Sequence, residues 1–576
     1  MIDTARFTVL AGVLSVSGLG AAPVGGQVTF TDVTVAAGLT QTTAQPGPPY
    51  MATGAAAADF DDDGWVDLFL PAQAGAPDLL YHNLGGGQFV EIAASAGVAS
   101  TRQNVGGLWL DYDGDHDLDL LVTSQDQAAP VTLYEQTTPG VFVDVTAAAG
   151  LSITLSPPAY PTNPRHRSGA AAGDINHDGY LDVCVTIWNG EARLFVNNTD
   201  KTLTEVSTTS GINALPRNFW QPFFIDLDRD GWLDLYLLVD KEQNQLWINQ
   251  KDGTFVEAAG AARLNNNMTD MGLSFGDYDN DGDFDLYITN IYVPADNNHN
   301  VLFRNDTSGG ILFFTDVSAA AGVDYGGWGW GTTFFDADRD GWLDIGATNG
   351  WWTTPFNTDA SRFFHNPGVA PFAFADDATT SGFDDARWGS SLVAFDYDRD
   401  GDRDLLQTCM NEGAHLAANQ PVGIAANNHY LTVKPRMLGP NHRAIGATVT
   451  VAVGGLTMMR LITAGTSCIG QEPAEAFFGL ASADKADTLI IDWPDGTQTS
   501  ITDAPADQVL TVTHGGFGDL DADGDVDTAD YAIFEACITG PGNGSIIYAP
   551  GCQAADINAD GAVDLADFAR IAPRFP

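Results

Sequence analysis

The residues most able to do chemistry in this chain are aspartates in one spacing, Asp-x-Asp-x-Asp-Gly-x-x-Asp, followed by an apolar run. The pattern first appears as Asp59, Asp61, Asp63, Gly64 and Asp67, and its copies start at Asp59, Asp111, Asp174, Asp226, Asp277, Asp336 and Asp396. The steps between starts are 52, 63, 52, 51, 59 and 60 residues. Carboxylates on alternate residues of a tight loop converge on one point. Oxygen-only ligands select a hard cation, and several carboxylates in a flexible loop favour calcium over magnesium. The Gly permits a sharp reversal that a Cβ would block. Without a cation, carboxylates this close repel one another. The second copy carries His116 where the others have Gly, and the third has Asn176 for Asp, so the second loop is expected to be weak or empty.

These loops are not EF-hands, which need an acid at position 12 and a helix after it. Position 12 here is Leu70, Val122, Val185, Leu237, Ile288, Ala347 and Gln407. The residues after the last Asp read as strand, for example Leu68-Phe69-Leu70 and Leu235-Tyr236-Leu237. A cation held this way sits in a β-hairpin loop.

Two further elements recur between the loops. One is Leu-aromatic-x-Asn, as in Leu80-Tyr81-His82-Asn83 and Leu246-Trp247-Ile248-Asn249; the other is Phe-x-Asp/Glu-Val, as in Phe142-Val143-Asp144-Val145. With the strands on either side of each loop, they give four short strands per repeat. Four-stranded units repeated at this period make the blades of a β-propeller. A seventh Phe-x-Asp/Glu-Val element, Phe30-Thr31-Asp32-Val33, precedes the first loop and none follows the last. The N-terminal strand is therefore expected to complete blade seven and remove the exposed edges.

At 576 residues the chain has room for several domains, and its 75 acidic against 24 basic residues give a net charge of −51. The seven loops hold 31 Asp, so much of this acidity belongs to the repeat. No basic patch exists to neutralise phosphates, which excludes nucleic acid as a partner. Arg6, the apolar run Phe7 to Leu19 and the small residues Gly20, Ala21 and Ala22 read as a secretory signal peptide over 1–22. No other segment reaches transmembrane length, and the expected location is extracellular or at the cell surface. Cys537 and Cys552 flank a loop and are placed to pair in an oxidising compartment; Cys184, Cys409 and Cys468 read as buried thiols.

The repeats resemble the FG-GAP/VCBS family of calcium-binding propellers over roughly 28–425. That resemblance implies side-chain ligands at loop positions 1, 3, 5 and 9 and a backbone carbonyl at position 7. In the first three loops these are Asp59, Asp61, Asp63 and Asp67; Asp111, Asp113, Asp115 and Asp119; and Asp174, Asn176, Asp178 and Asp182. The next two supply Asp226, Asp228, Asp230 and Asp234, then Asp277, Asp279, Asp281 and Asp285. The last two supply Asp336, Asp338, Asp340 and Asp344, then Asp396, Asp398, Asp400 and Asp404. Trp65, Trp232 and Trp342 at position 7 fit a backbone ligand, since an indole does not chelate calcium.

Two more resemblances follow. Residues 428–514 carry Asn441-His442-Arg443-Ala444-Ile445-Gly446-Ala447 and Trp493-Pro494-Asp495-Gly496, similar to the ASPIC and UnbV domain, which implies a small β-domain. Residues 517–576 carry Asp519, Asp521, Asp523, Asp527 and Asp530, then Asp556, Asn558, Asp560, Asp564 and Asp567, at positions 1, 3, 5, 9 and 12 of two loops, each followed by helical sequence. This resembles a type I dockerin, a small α-helical domain that folds around two calcium ions and binds a cohesin-type scaffold. The whole chain is thus expected to be mainly β: a seven-bladed propeller, a small β-domain and a paired calcium-loop tail, with up to seven calcium ions in the propeller and two in the tail.

No catalytic set emerges. Gly272-Leu273-Ser274-Phe275-Gly276 matches a nucleophile elbow, but it runs straight into the Asp277 loop without the strand-turn-helix context. The ten His lack ligand spacing. Counting back from the first Asp of each loop places Trp220, Trp330 and, two residues further, Trp388 at the start of the innermost strands, with Trp328, Trp351 and Trp352 near in sequence. Such a ring of flat aromatics at the channel mouth is the expected ligand site. The expected function is recognition of an extracellular glycan or protein, with the tail attaching the module to a scaffold or surface. The alternatives are a polysaccharide lyase or hydrolase using Arg167 and Arg217, and a structural assembly protein.

Overall fold

The aliphatic run after each Asp loop is buried on both faces, as in Asp67–Leu70 and Asp119–Ser124. Such a strand needs cover from sheets on either side, and the fold supplies it by repetition. A computed structural model describes residues 28–41, 52–72, 75–126, 131–153, 166–212, 216–292, 298–410, 412–514 and 528–537. Within these, seven units each form a four-stranded antiparallel meander. The first comprises Ala56–Ala58, Asp67–Leu70, Leu79–Asn83 and Phe89–Glu91. In the seventh, Gly389–Phe395, Asp404–Cys409 and His415–Pro421 are completed by the N-terminal strand Val28–Asp32, with Phe30 opposite Asn419. No helix of the described residues is long and apolar enough to cross a membrane.

Side chains join neighbouring units at two radii. Near the axis, the hydroxyls of Thr186, Thr289, Thr348 and Thr408 donate to the carbonyls of Trp220, Trp330, Ser390 and Thr53 in the next unit. The Thr408 bond, 2.6 Å, runs from the seventh unit to the first and closes the ring. Further out, the Asn that ends the third strand reaches back to the preceding unit in units one, three, four, six and seven. Asn83 Nδ2 donates to the Tyr397 carbonyl at 2.9 Å, Asn249 to Ile175 at 2.9 Å, Asn366 to Tyr278 at 2.9 Å and Asn419 to Ala337 at 2.7 Å. Gln136 replaces Asn in the second unit and reaches Phe60 in the same way. The recurring Asn of Leu-aromatic-x-Asn is therefore a joint between blades.

The C-terminal β-domain packs two sheets together. One is Ala476–Ala481, His429–Met437 and Gln508–His514, with the last two strands parallel; the other is Leu456–Leu461, Thr448–Val453, Lys485–Asp492 and Gln498–Pro505. The connection between Leu461 and Ala476 leaves this domain and fills the axis of the propeller, where it touches all seven units. Gln471 exchanges backbone hydrogen bonds with Ala55 and Ala57 of the first unit. Its side chain takes the Trp109 amide at 2.6 Å and donates to the Trp109 carbonyl at 3.0 Å in the second. Ala464 accepts from Ala172 in the third, Gln221 of the fourth brackets Thr466 and Ile469, and Ser467 pairs with Leu273 of the fifth in both directions. Ser467 Oγ accepts from Thr332 of the sixth and Leu392 of the seventh, both at 3.1 Å. Contact is so close that a Cβ on Gly54 would lie 1.6 Å from the Ile469 carbonyl oxygen.

Gln471→Ala leaves the Trp109 amide and carbonyl unpaired in a sealed interior. A loss of about 2 kcal/mol or more is expected, read as a lower urea midpoint for the full chain. An unchanged midpoint would show that the plug does not support the ring.

Candidate metal centres

Each Asp loop is built by its own backbone before any cation enters. The position 1 carboxylate accepts the position 6 amide: Asp59 from Gly64 at 3.1 Å, Asp226 from Gly231 at 2.8 Å, Asp336 from Gly341 at 2.9 Å. The position 5 carboxylate accepts the position 7 amide, as Asp63 does from Trp65 at 2.8 Å. Positions 4 and 6 both lie in the left-handed region, for example His177 at φ +59° and Gly179 at φ +89°. The second loop swaps the two, with Gly114 at position 4 and His116 at position 6, φ +76°, stacked on His442 at 4.4 Å.

The position 9 Asp is the deepest. Asp67, Asp119, Asp182 and Asp285 are fully buried, and Asp234, Asp344 and Asp404 are within 1% of it. In every unit one oxygen accepts the position 2 amide and the other the amide of the third-strand Asn or Gln. For Asp67 these are Phe60 at 3.2 Å and Asn83 at 2.7 Å; for Asp344 they are Ala337 at 3.1 Å and Asn366 at 2.7 Å. This residue is a structural clamp as well as a candidate ligand. Outside unit one, where Asp67 Oδ1 also meets His82 Nδ1 at 3.1 Å, each of these oxygens retains a second lone pair for a cation.

Ligand atoms of Asp59, Asp61 and Asp67 lie within 4.8 Å of one another, as do those of Asp111, Asp113 and Asp115 and of Asp226, Asp228 and Asp230. Buried oxygens of Asp59, Asp279, Asp338, Asp396 and Asp398 have no hydrogen-bond partner among the described residues. Unpaired buried carboxylate oxygens aimed into a common loop fit a hard cation. Burial, with the neighbouring carboxylates adding to it, pushes Asp67 up to about 9, Asp234 to about 8, and Asp277, Asp336 and Asp396 to about 7. Asp119, Asp182, Asp285, Asp344 and Asp404 are raised well above the usual range by the same burial. The second loop differs: Lys201 Nζ contacts Asp113 Oδ2 and lies 3.0 Å from Glu135 Oε1, so an ammonium already faces its carboxylates.

The C-terminal domain docks on the loop end of the propeller. Lys434 Nζ is 3.7 Å from Asp59 Oδ2 and 3.8 Å from Glu475 Oε2, and Arg443 reaches Asp62 at 2.8 Å and the Asp59 carbonyl at 3.1 Å. The Gly479 amide donates to Asp336 Oδ2 at 3.0 Å. Burial lowers Lys434 from the usual lysine range and brings Arg460 to about 10. Burial would raise Glu475, but Lys434 and Arg403 outweigh it and hold it below the usual range.

The expected aromatic ring is corrected by the plug. Trp220 and Trp330 do stand at the axis, but they are only 4% and 5% exposed and pack with each other, Cys468 and Ile469. Because the 462–475 connection fills the channel, these indoles form core instead of a ligand face. Trp388 is half-buried and Trp352 is 44% exposed. Arg217 is tied to Glu242 at 3.3 Å. Cys184, Cys409 and Cys468 are buried free thiols. The tail ligands Asp519, Asp521, Asp523, Asp527, Asp556, Asn558, Asp560, Asp564 and Asp567, the Asp530 and Arg167 side chains, the 1–22 segment and Cys552 lie outside the described residues; the helix Thr528–Cys537 begins within the first tail loop and contains Asp530. Sequence reasoning missed His82 and His365. Their signal was their place, directly before the third-strand Asn, beside the loop carboxylates.

Family models match three stretches of the chain. The FG-GAP-like repeat model matches 59–122, 111–185, 174–237 and 226–288; the ASPIC and UnbV model matches 437–517; and the dockerin type I model matches 517–575. The chain thus carries FG-GAP repeats, an ASPIC and UnbV domain and a type I dockerin domain. Cartilage acidic protein 1 of Homo sapiens is 26% identical over 46% of this chain and 39% of that protein; the Mus musculus protein is 26% identical over 44% and 42%. The chain spans about two fifths of the curated relatives it matches. Among solved structures, BBS1N in complex with ARL6DN aligns over 69% of this chain and 99% of that one at TM-score 0.39 and 8% identity. Bacillus licheniformis rhamnogalacturonan lyase PL11 aligns over 68% and 75% at TM-score 0.36 and 13% identity.

Two outcomes follow. Carboxyls raised in the folded state stabilise it below about pH 4, and that contribution is lost as pH rises through 7 to 9. In chelator the melting temperature is expected to fall steadily from pH 5 to pH 9, and added calcium should remove that slope and raise the curve; superimposable melts would rule out the cation reading. Trp330→Ala is expected to cost about 3–5 kcal/mol, and exposed Trp352→Ala less than about 0.5 kcal/mol, in denaturant titrations.

Proposed function

We propose that this chain is a calcium-stabilised extracellular recognition module that binds a glycan or protein and is attached to a scaffold or surface by its tail. FG-GAP repeats and dockerin domains are generally calcium-associated. A dockerin domain implies a cohesin-type partner and an extracellular or cell-surface setting. The observation that carries the reading is the sealed axis: a connection in contact with all seven units leaves no open channel for a substrate.

Recognition then falls to the aromatic cluster at the other end of the inner strands. Trp328 and Trp351 stack at 5.0 Å and 8°, Phe356 stands edge-on to Trp328 at 4.9 Å, and exposed Trp352 lies 6.4 Å from Trp351. The Asp359 carboxylate is beside them, accepting the Trp328 amide at 3.1 Å. Indole faces with adjacent carboxylate and amide groups suit the apolar faces and hydroxyl rims of a sugar ring.

The test is a polysaccharide panel incubated with the full chain in calcium, scored for bound protein and for newly released chain ends. Binding without product that is weakened at least tenfold by Trp352→Ala is expected. Product release would instead assign an enzyme, and binding to no glycan would leave a protein ligand as the reading to pursue.

A further inference from the structure

The seven loops do not offer the same atoms. The residue before the third-strand clamp is Val196, Ile248 and Ala418 in units three, four and seven, Glu135 in unit two and Arg304 in unit five. In units one and six it is histidine. Ligand atoms of Asp338, Asp340 and His365 lie within 4.8 Å of one another, and those of Asp61, Asp63 and His82 do the same.

The sixth unit is the better formed of the two. Asp338 is 1% exposed, and neither of its carboxylate oxygens has a hydrogen-bond partner among the described residues. His365 Nε2 is 3.5 Å from Asp338 Oδ2 and is likewise without a hydrogen bond. On the far side of the ring, Nδ1 lies 3.8 Å from Asp377 Oδ2, so a carboxylate stands behind the imidazole, as it does behind many metal-bound histidines. In the first unit His82 Nδ1 shares a hydrogen bond with Asp67 Oδ1 at 3.1 Å and is 3.5 Å from Asp61 Oδ2, which leaves Nε2, 4.0 Å from Asp63 Oδ2, as the nitrogen open to a metal.

Calcium takes oxygen ligands, whereas imidazole suits zinc and its neighbours in the first transition row. We propose that the loop of unit six, and with it that of unit one, holds a divalent transition ion of the zinc type through Asp338, Asp340 and His365, and through Asp61, Asp63 and His82. This rests on the reading of the loops as cation sites and adds a division of labour: all-oxygen loops for calcium, two histidine-bearing loops for zinc. Asp338 supplies the buried anionic oxygen, His365 the nitrogen, and Asp377 the ring orientation.

The experiment uses the full chain, stripped with chelator and dialysed against excess calcium with limiting zinc, followed by elemental analysis. About two zinc per chain are expected. His365→Ala should retain about one, and the His82→Ala/His365→Ala pair none, with calcium content unchanged. Cobalt supplies an independent readout: visible ligand-field bands that diminish in each single variant and vanish in the pair. Should His365→Ala fail to fold, the more exposed His82→Ala alone carries the test. Calcium without zinc, or zinc content indifferent to both histidines, overturns this proposal and leaves the loops as calcium sites. Neither metal retained overturns both readings.

Discussion

One buried carboxyl group per unit ties the parts of that unit together. The position 9 aspartate sits at the base of its loop with almost no exposure, and its two oxygens take amides from the loop and from the third strand. The loop, the second strand and the third strand of one unit thereby meet at one carboxylate. Burying such a group without a counter-charge costs several kcal/mol, and the carboxylates at positions 1, 3 and 5 add repulsion. Two hydrogen bonds to neutral amides do not cancel that cost. A cation in the loop is the counter-charge the arrangement calls for. The net charge of −51 is largely the sum of these local demands and is therefore no guide to a partner.

The same residue passes its order outward. In most units the Asn or Gln whose amide it fixes uses its own side chain to reach the preceding unit, so the loop is tied to its neighbour through one bridging residue. The C-terminal domain then adds further basic groups on the loop end and a polar plug along the axis. Lys434 and Arg443 approach the first loop while Gly479 meets the sixth, so the domain rests on the most acidic surface of the ring. Docking and loop charge are therefore coupled.

What the sequence discloses is what repeats. The loops and the four strands per unit are local patterns copied seven times, the Asn before the turn is copied six times, and each is visible without knowing what lies next to it. The plug is not of this kind. Residues 462–475 have no periodicity, and their partners, Trp109, Gln221, Leu273 and Thr332, are more than a hundred residues away. Counting along the repeats put Trp220 and Trp330 at the axis correctly, yet whether an axis is open or filled depends on a segment elsewhere. His82 and His365 escaped for a related reason. They look scattered along the chain, and only strand pairing brings them beside carboxylates some twenty residues earlier.

Repetition also makes the departures informative. Seven copies of one loop set a standard against which each change has a local physical meaning. In the second unit Lys201 brings an ammonium to Asp113 and Glu135, and His116 stacks on His442 of the docked domain. In the fourth, Lys251 lies 3.0 Å from Asp230 at the surface, where solvent screens it. In the first and sixth, imidazoles enter. A side-chain ammonium offsets repulsion without any dependence on ions in solution, whereas a loop that holds an ion would make stability follow that ion's concentration. The blades share one scaffold and differ in their counter-charge, and the side-chain joints between them run through asparagine, glutamine and threonine.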